Sequence, residues 1–231
     1  MTARSPAAAA ATLVVAASLA LAACGTDPTP TPRPACPTAP PSSTGAQAEL
    51  VGADRAVVAT NKGTFTMDIY GDAAPIAAAN FVALARCGFY DQITFHRVIA
   101  GFVIQAGDPQ TRENRDDFEG LGTGGPGFSF VIEEPADGLT YDPYVVSMAN
   151  AGGTDTNGSQ FFINLVDLDD ALRQVGTYTI FGRVIEGTGV VDEIGEVPVN
   201  HPQVGVPLDP VIIESITIEA APAETDAAPS G

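Results

Sequence analysis

The sequence predicts a mainly β domain, a closed barrel or a sandwich, over residues 55–219. Three observations lead there. Short β-rich runs recur between closely spaced turn signals, only two stretches carry a helical signature, and the connections are rich in glycine. Barrels and sandwiches are the architectures that shelter the edges so many short strands would otherwise expose.

The first two strands are expected at residues 55–60 and 64–69, joined by Asn61-Lys62-Gly63, a hairpin signal. Residues 75–87 break the pattern. Pro75 suits a first helical turn, Ile76, Ala79, Phe81, Val82 and Ala85 fall at helical spacing, and Gly88 supplies a stop. Further strands are predicted at 94–99, 102–106, 128–132, 144–149, 160–165, 179–186 and 211–219, with a second short helix from about 188 to 194. The run 120–127 has five glycines but lacks the Lys-Ser/Thr of a phosphate loop and leads into no helix, so it is read as a connection.

The chain has 231 residues and sets 10 Lys and Arg against 28 Asp and Glu, a net charge of −18. Polyanion binding depends on clustered cations, so nucleic-acid partners are excluded, as are anionic lipid heads bound through a basic patch. Cys24, Cys36, Cys87, His96 and His201 include no pair at metal-ligand spacing. Asp155, Asn157 and Gly158, and the group Asp167, Asp169 and Asp170, lack the full spacing of a calcium loop and read as solvated acidic loops.

The ends read as an address, a tether and a tail. Arg4 precedes an apolar stretch, rich in alanine and interrupted only by Thr12 and Ser18, which suits a signal-peptide core at residues 1–23 better than a membrane span. It ends in Leu21-Ala22-Ala23-Cys24, which resembles the bacterial lipobox and makes Cys24 the lipidated residue. Residues 24–52 contain seven prolines among Thr, Ser and Ala and are expected to form an extended spacer. Cys36 then lies in the spacer and Cys87 at a helix end. An exported setting permits a bond between them, but the reading favoured here is a free, buried Cys87. Residues 220–231 are expected to be a disordered tail. The folded domain is placed at 53–219.

Two segments are far more specific. One is Phe95-His96-Arg97-Val98-Ile99-Ala100-Gly101-Phe102-Val103-Ile104-Gln105-Ala106-Gly107-Asp108; the other is Ser147-Met148-Ala149-Asn150-Ala151-Gly152 followed by Asn157-Gly158-Ser159-Gln160-Phe161-Phe162-Ile163. Together they resemble the cyclophilin family of peptidyl-prolyl cis-trans isomerases. Asn80-Phe81, the run 122–127 and Tyr178-Thr179-Ile180-Phe181-Gly182 extend the resemblance over nearly all of residues 55–219. It implies a closed eight-stranded antiparallel β-barrel capped by two helices, with the substrate groove on the outside.

The resemblance also implies roles. Arg97, which alone would read as a surface ion-pair partner, becomes the catalytic cation. Phe102, Val103, Phe162 and Leu172 are expected to wall a proline pocket, with Tyr178 as a further aromatic wall. Gln105 and Gln160 are expected to orient Arg97 or the substrate, and Ala149 and Asn150 to offer backbone groups to an extended peptide. His96 alternates with Arg97 and is read as structural. No nucleophile, metal or cofactor is required. The partners implied are Pro-containing polypeptides, with the membrane engaged only through the lipid, and the chain is expected to act as a monomer.

This sequence departs from the family pattern in places. Val103 stands where Met is common, Tyr178 where many members have His, and there is no Trp. Residues 111–119 and 167–177 differ in length or character from the usual loops. These changes motivate a second reading, a catalytically weak peptide-binding or chaperone module. A third, a solute-binding lipoprotein, rests on the anchor alone.

Overall fold

Eight strands, all paired antiparallel, form one curled sheet: β1 (Arg55–Thr60), β2 (Gly63–Ile69), β3 (Arg97–Ile99), β4 (Val103–Ala106), β5 (Val145–Met148), β6 (Phe161–Asn164), β7 (Ile180–Glu186) and β8 (Ile213–Glu219). They lie in the order β3-β4-β6-β5-β7-β2-β1-β8. The computed structural model describes residues 32–114 and 120–221. The expected eight-stranded antiparallel architecture is borne out. Its seam is shorter than a full ladder: Thr94 bridges Ile212, Phe95 N–H donates to the Val211 carbonyl at 2.9 Å, and Ile213 N–H donates to the Ile93 carbonyl at 2.8 Å.

The strands alternate as their sequences require. Val98, Ile104, Ile163 and Val146 face an inner core with Met67, Phe65 and Phe181, while Val103, Phe162, Val145 and Ile180 belong to a second, outer cluster. The inner core is closed by α2 (Pro75–Arg86), which is buried over most of its circumference because alanines let it approach closely. Phe81 anchors it, with ring centroids 5.2 Å from Tyr90, 5.7 Å from Phe161 and 5.2 Å from Phe181. Ala74 cannot cap this helix. The Glu133 carboxylate does so from a distant loop, accepting from Ile76 N–H at 3.0 Å and Ala77 N–H at 2.8 Å. The second predicted helix, α4, spans Thr188–Gly195 and buries Val191 and Ile194.

Several expectations are corrected. Part of the supposed spacer is ordered: α1 (Ser43–Glu49) is capped by Ser42, buries Ala46 and packs against α2, where Arg86 binds the Glu49 carbonyl at 2.6 Å and its carboxylate at 3.2 Å. The compact unit starts at Arg33, which pairs with Asp91. Cys87 is not free; it forms a disulfide with Cys36. The Pro-rich chain is thus stapled to the end of α2 rather than left extended. The strand expected at 128–132 reduces to one bridge, Phe130 with Asn157, since its other polar groups bond into loops. The acidic segment after Asp167 is not a loop but α3 (Asp169–Val175), held by Asp169 accepting from Arg173 at 2.9 Å one turn on. Residues 1–23, Cys24 and the tail beyond 221 lie outside the described residues, as does most of the segment before Arg33.

Candidate active site

The ladder gathers the predicted residues into one row on the outer face. Arg97 of β3 stands opposite Gln105 of β4, and Gln105 opposite Phe162 of β6. Because partners across a ladder share a face, all three side chains project outward while His96 and Val98 turn in. The row opens into a cavity of about 300 Å³ lined by Arg97, Phe102, Val103, Phe162, Leu172 and Tyr178, with Gln105, Ala149 and Asn150 at its margin. Nine of the ten residues assigned to the site from sequence therefore meet at one place. The tenth, Gln160, lines an adjoining cavity of about 380 Å³ that shares Gln105, Ala149 and Asn150.

Apolar walls surround a half-buried cation. Phe162 and Tyr178 meet edge to face at 5.4 Å, and the Arg97 guanidinium lies 5.8 Å from the Phe102 ring centroid. Among the described residues Arg97 has no carboxylate within ion-pair distance. Burial lowers its pKa, opposed by Tyr178, but a guanidinium starts so high that it stays charged at neutral pH. The site thus presents a fixed, poorly solvated hydrogen-bond donor above a pocket sized for a small ring.

Of the two expected roles for the amides, orienting Arg97 or orienting the substrate, the hydrogen bonds do not include the first. Gln105 Nε2 donates to Gln160 Oε1 at 3.0 Å, and Gln160 Nε2 donates to the Gly124 carbonyl at 2.8 Å. Gln105 is therefore turned toward Gln160 and forms no hydrogen bond with Arg97. Ala149 N–H is committed to the Gln160 carbonyl at 2.9 Å, which leaves the Ala149 carbonyl and the Asn150 main chain open to a peptide. The Asn150 side chain is also engaged, donating to the Thr177 carbonyl at 2.9 Å.

Residues 55–218 match the family model of the cyclophilin type peptidyl-prolyl cis-trans isomerase/CLD. The chain is a cyclophilin. It is similar to the peptidyl-prolyl cis-trans isomerase of Helicobacter pylori, 42% identical over 63% of this chain and 83% of the relative. It is also similar to peptidyl-prolyl cis-trans isomerase A of Mycobacterium tuberculosis, 41% identical over 71% of this chain and 91% of that one. Among solved structures, a Cryptosporidium parvum cyclophilin type isomerase superposes with a TM-score of 0.63 and 34% identity, covering 73% of this chain and 99% of its own. The same protein was also solved in the presence of the dipeptide Ala-Pro. Peptidyl-prolyl cis-trans isomerisation, on proline-containing peptides, is the activity of this chain.

Sequence reasoning missed the residues that hold this cyclophilin's groove. Asp108 is fully buried and accepts from Gly122 N–H at 2.7 Å, Gln110 N–H at 2.9 Å and Gly124 N–H at 3.2 Å. It satisfies the glycine loop that superficially resembles a phosphate cradle, and it fixes the Gly124 carbonyl on which Gln160 rests. A Cβ on Gly124 would overlap Asp108 Oδ1, so the close approach requires glycine. Asn157 and Ser159 brace the other side: Asn157 Nδ2 donates to the Val131 carbonyl and to Thr179 Oγ1, both at 3.1 Å, and Ser159 Oγ donates to the Gly107 carbonyl at 2.7 Å. Tyr141 locks Tyr178, its hydroxyl donating to the Tyr178 carbonyl at 2.8 Å and accepting from Tyr178 N–H at 3.0 Å. The side-chain amides and hydroxyls in the two quoted motifs were the available signal. Val175, an extra wall from α3, had none.

His96 is structural, as its alternation with Arg97 predicts. It is buried beneath Gly122, and burial lowers its pKa to about 4 against the opposing field of Asp108. Neither ring nitrogen makes a well-formed hydrogen bond among the described residues, although the Thr94 backbone lies close enough to favour the charged form.

Proposed function

We propose that this cyclophilin is exported, anchored by lipid at Cys24 on the outer face of the bacterial cytoplasmic membrane, and isomerises X–Pro bonds of exported polypeptides with Arg97 as the catalytic cation. The observation that carries the catalytic reading is the half-buried guanidinium of Arg97 over the apolar cavity, with no carboxylate at ion-pair distance among the described residues.

An X–Pro bond prefers trans by only about 0.5–1 kcal/mol, yet turns over in tens to hundreds of seconds because rotation breaks amide resonance. In the twisted transition state the proline nitrogen becomes pyramidal and gains a lone pair that the planar ground state lacks. With the ring seated between Phe102, Val103, Phe162 and Leu172, Arg97 donates to that nitrogen only when it is twisted. The interaction is specific to the transition state, which is what acceleration demands. The open Ala149 carbonyl and Asn150 main chain align the peptide as an added strand, so one side of the bond is held while the other rotates. No bond is made or broken. The relative solved with Ala-Pro supports a proline-containing occupant for this face.

Export is supported by the lipobox ending in Cys24, by the signal-like stretch before it, and by the Cys36–Cys87 disulfide, because such bonds persist in oxidising compartments. The chain between Cys24 and Arg33 then forms the tether, shorter than the full Pro-rich segment. Membrane fractionation of cells expressing the full chain tests the anchor: wild type should sediment with membranes and Cys24→Ser should not. Retention of the variant on membranes would refute lipidation there.

A further inference from the structure

A third cavity, of about 670 Å³, opens beside the proline pocket. Asn150, Val175 and Tyr178 line both, so the two are continuous, and the third extends to Ile132, Glu134 and Thr154. We propose that this cavity is a subsite for a cationic residue flanking the substrate proline, with Glu134 supplying the charge that selects it and Val175 an apolar shelf for its methylenes. The proposal deepens, and rests on, the reading of the neighbouring cavity as the proline pocket.

The occupant follows from continuity and charge. An extended chain advances about 3.3 Å per residue. A peptide with its proline against Phe162 and its main chain on Asn150 therefore enters the adjoining cavity within a few residues. Among the described residues, the only charged side chains lining the three cavities are Arg97 in the proline pocket and Glu134 in the third. Glu134 is exposed and, among the described residues, has no cation within ion-pair distance. Its carboxylate lies within electrostatic range of the Tyr141 hydroxyl and lines the third cavity. Val175 is 71% exposed, a large apolar surface left open beside the site. Lysine and arginine match such a pair, burying a hydrocarbon stem while the charged head remains wet. The net charge of −18 also favours encounter with cationic peptides over anionic ones.

The test is a peptide series with Lys, Ala or Glu at each of the two positions before and after the X–Pro bond, assayed at low and high salt. Wild type should show, at one of these positions, about three- to fivefold higher kcat/KM for Lys than for Glu, carried by KM. Glu134→Gln and high salt should each reduce that preference below about twofold. Glu214→Gln, a charge change on the exposed face of β8, should leave it intact. No Lys preference at any position, or one that survives Glu134→Gln, overturns the subsite. The Ala-flanked peptide separates the two readings: if wild type does not isomerise it, the proline-pocket assignment itself fails.

Discussion

Replacing Arg97 by Ala removes the one group argued to bind the transition state in preference to the substrate. Two unit charges about 4 Å apart at an effective dielectric near 20 attract by about 4 kcal/mol. The proline nitrogen carries only part of a charge, but the donor is half-buried, fixed over Phe102 and free of a competing carboxylate among the described residues. A figure of roughly 3–4 kcal/mol follows, a loss of about two to three decades in rate. The lost contact with the Phe102 ring is worth about 0.5–1 kcal/mol and affects the folded protein, not the rotation step.

The expected outcome for Arg97→Ala is therefore a fall in kcat of about 100- to 1,000-fold with KM changed by less than about threefold. Cis-to-trans relaxation of a proline peptide after a solvent jump measures both. Arg97→Lys keeps the charge but offers one compact ammonium in place of the planar fork, and should recover part of the loss. If Arg97→Ala keeps kcat within a few-fold of wild type, or loses activity through KM alone, the cation is a substrate-binding group and the catalytic argument is wrong.

Three further outcomes are expected. Cys36→Ser/Cys87→Ser opens a cross-link spanning 51 residues and should lower stability to urea by about 2–4 kcal/mol while leaving peptide isomerisation unchanged; a loss below about 1 kcal/mol would show the clasp to be incidental. Asp108→Asn should fold but lower kcat/KM about tenfold, and in a Gln160→Ala background it should cost far less, since both act through the Gly124 carbonyl; additive losses would break that chain of contacts. His96 is held neutral in the fold down to about pH 4, whereas the unfolded chain takes up its proton near 6.5, so stability should fall by roughly 3 kcal/mol as pH drops from about 6.5 to 4; His96→Gln should flatten that slope in paired denaturation curves, and an unchanged slope would contradict the burial.

Legibility in the sequence followed how local each cause is. The hairpin of β1 and β2, the helix from Pro75 and the short α4 were readable because turn glycines and apolar spacing act within a few residues. α3 was hidden because Asp167, Asp169 and Asp170 look like a solvated loop, and only Leu172 is buried along its length. α1 was hidden by the prolines before it, and the disulfide because nothing local links Cys36 to a cysteine 51 residues on. The gathering of the candidate site residues around one cavity was legible only through the motif. Arg97, Gln105 and Phe162 are distant in sequence, and a three-strand register sets them in line. The Asp108 support was not legible, since a glycine-rich run does not reveal which carboxylate will satisfy its amides.

The acidity of the chain makes the state of Arg97 a result of placement. Arg33, Arg55, Arg86, Arg173 and Arg183 each have a carboxylate partner, the ordinary fate of a cation in a molecule at −18. At Arg97 the partner across the ladder is Gln105, and beyond it the fold supplies Gln160 and the glycine loop in place of an acid. The buried carboxylate that the loop does meet, Asp108, is turned to three backbone N–H groups. An acid at position 105 would close an ion pair over the pocket and hold Arg97 as firmly in the ground state as in the transition state, which removes the differential binding that rotation needs. The uncharged amides are thus the condition that the proposed catalytic role of Arg97 requires in an acidic protein.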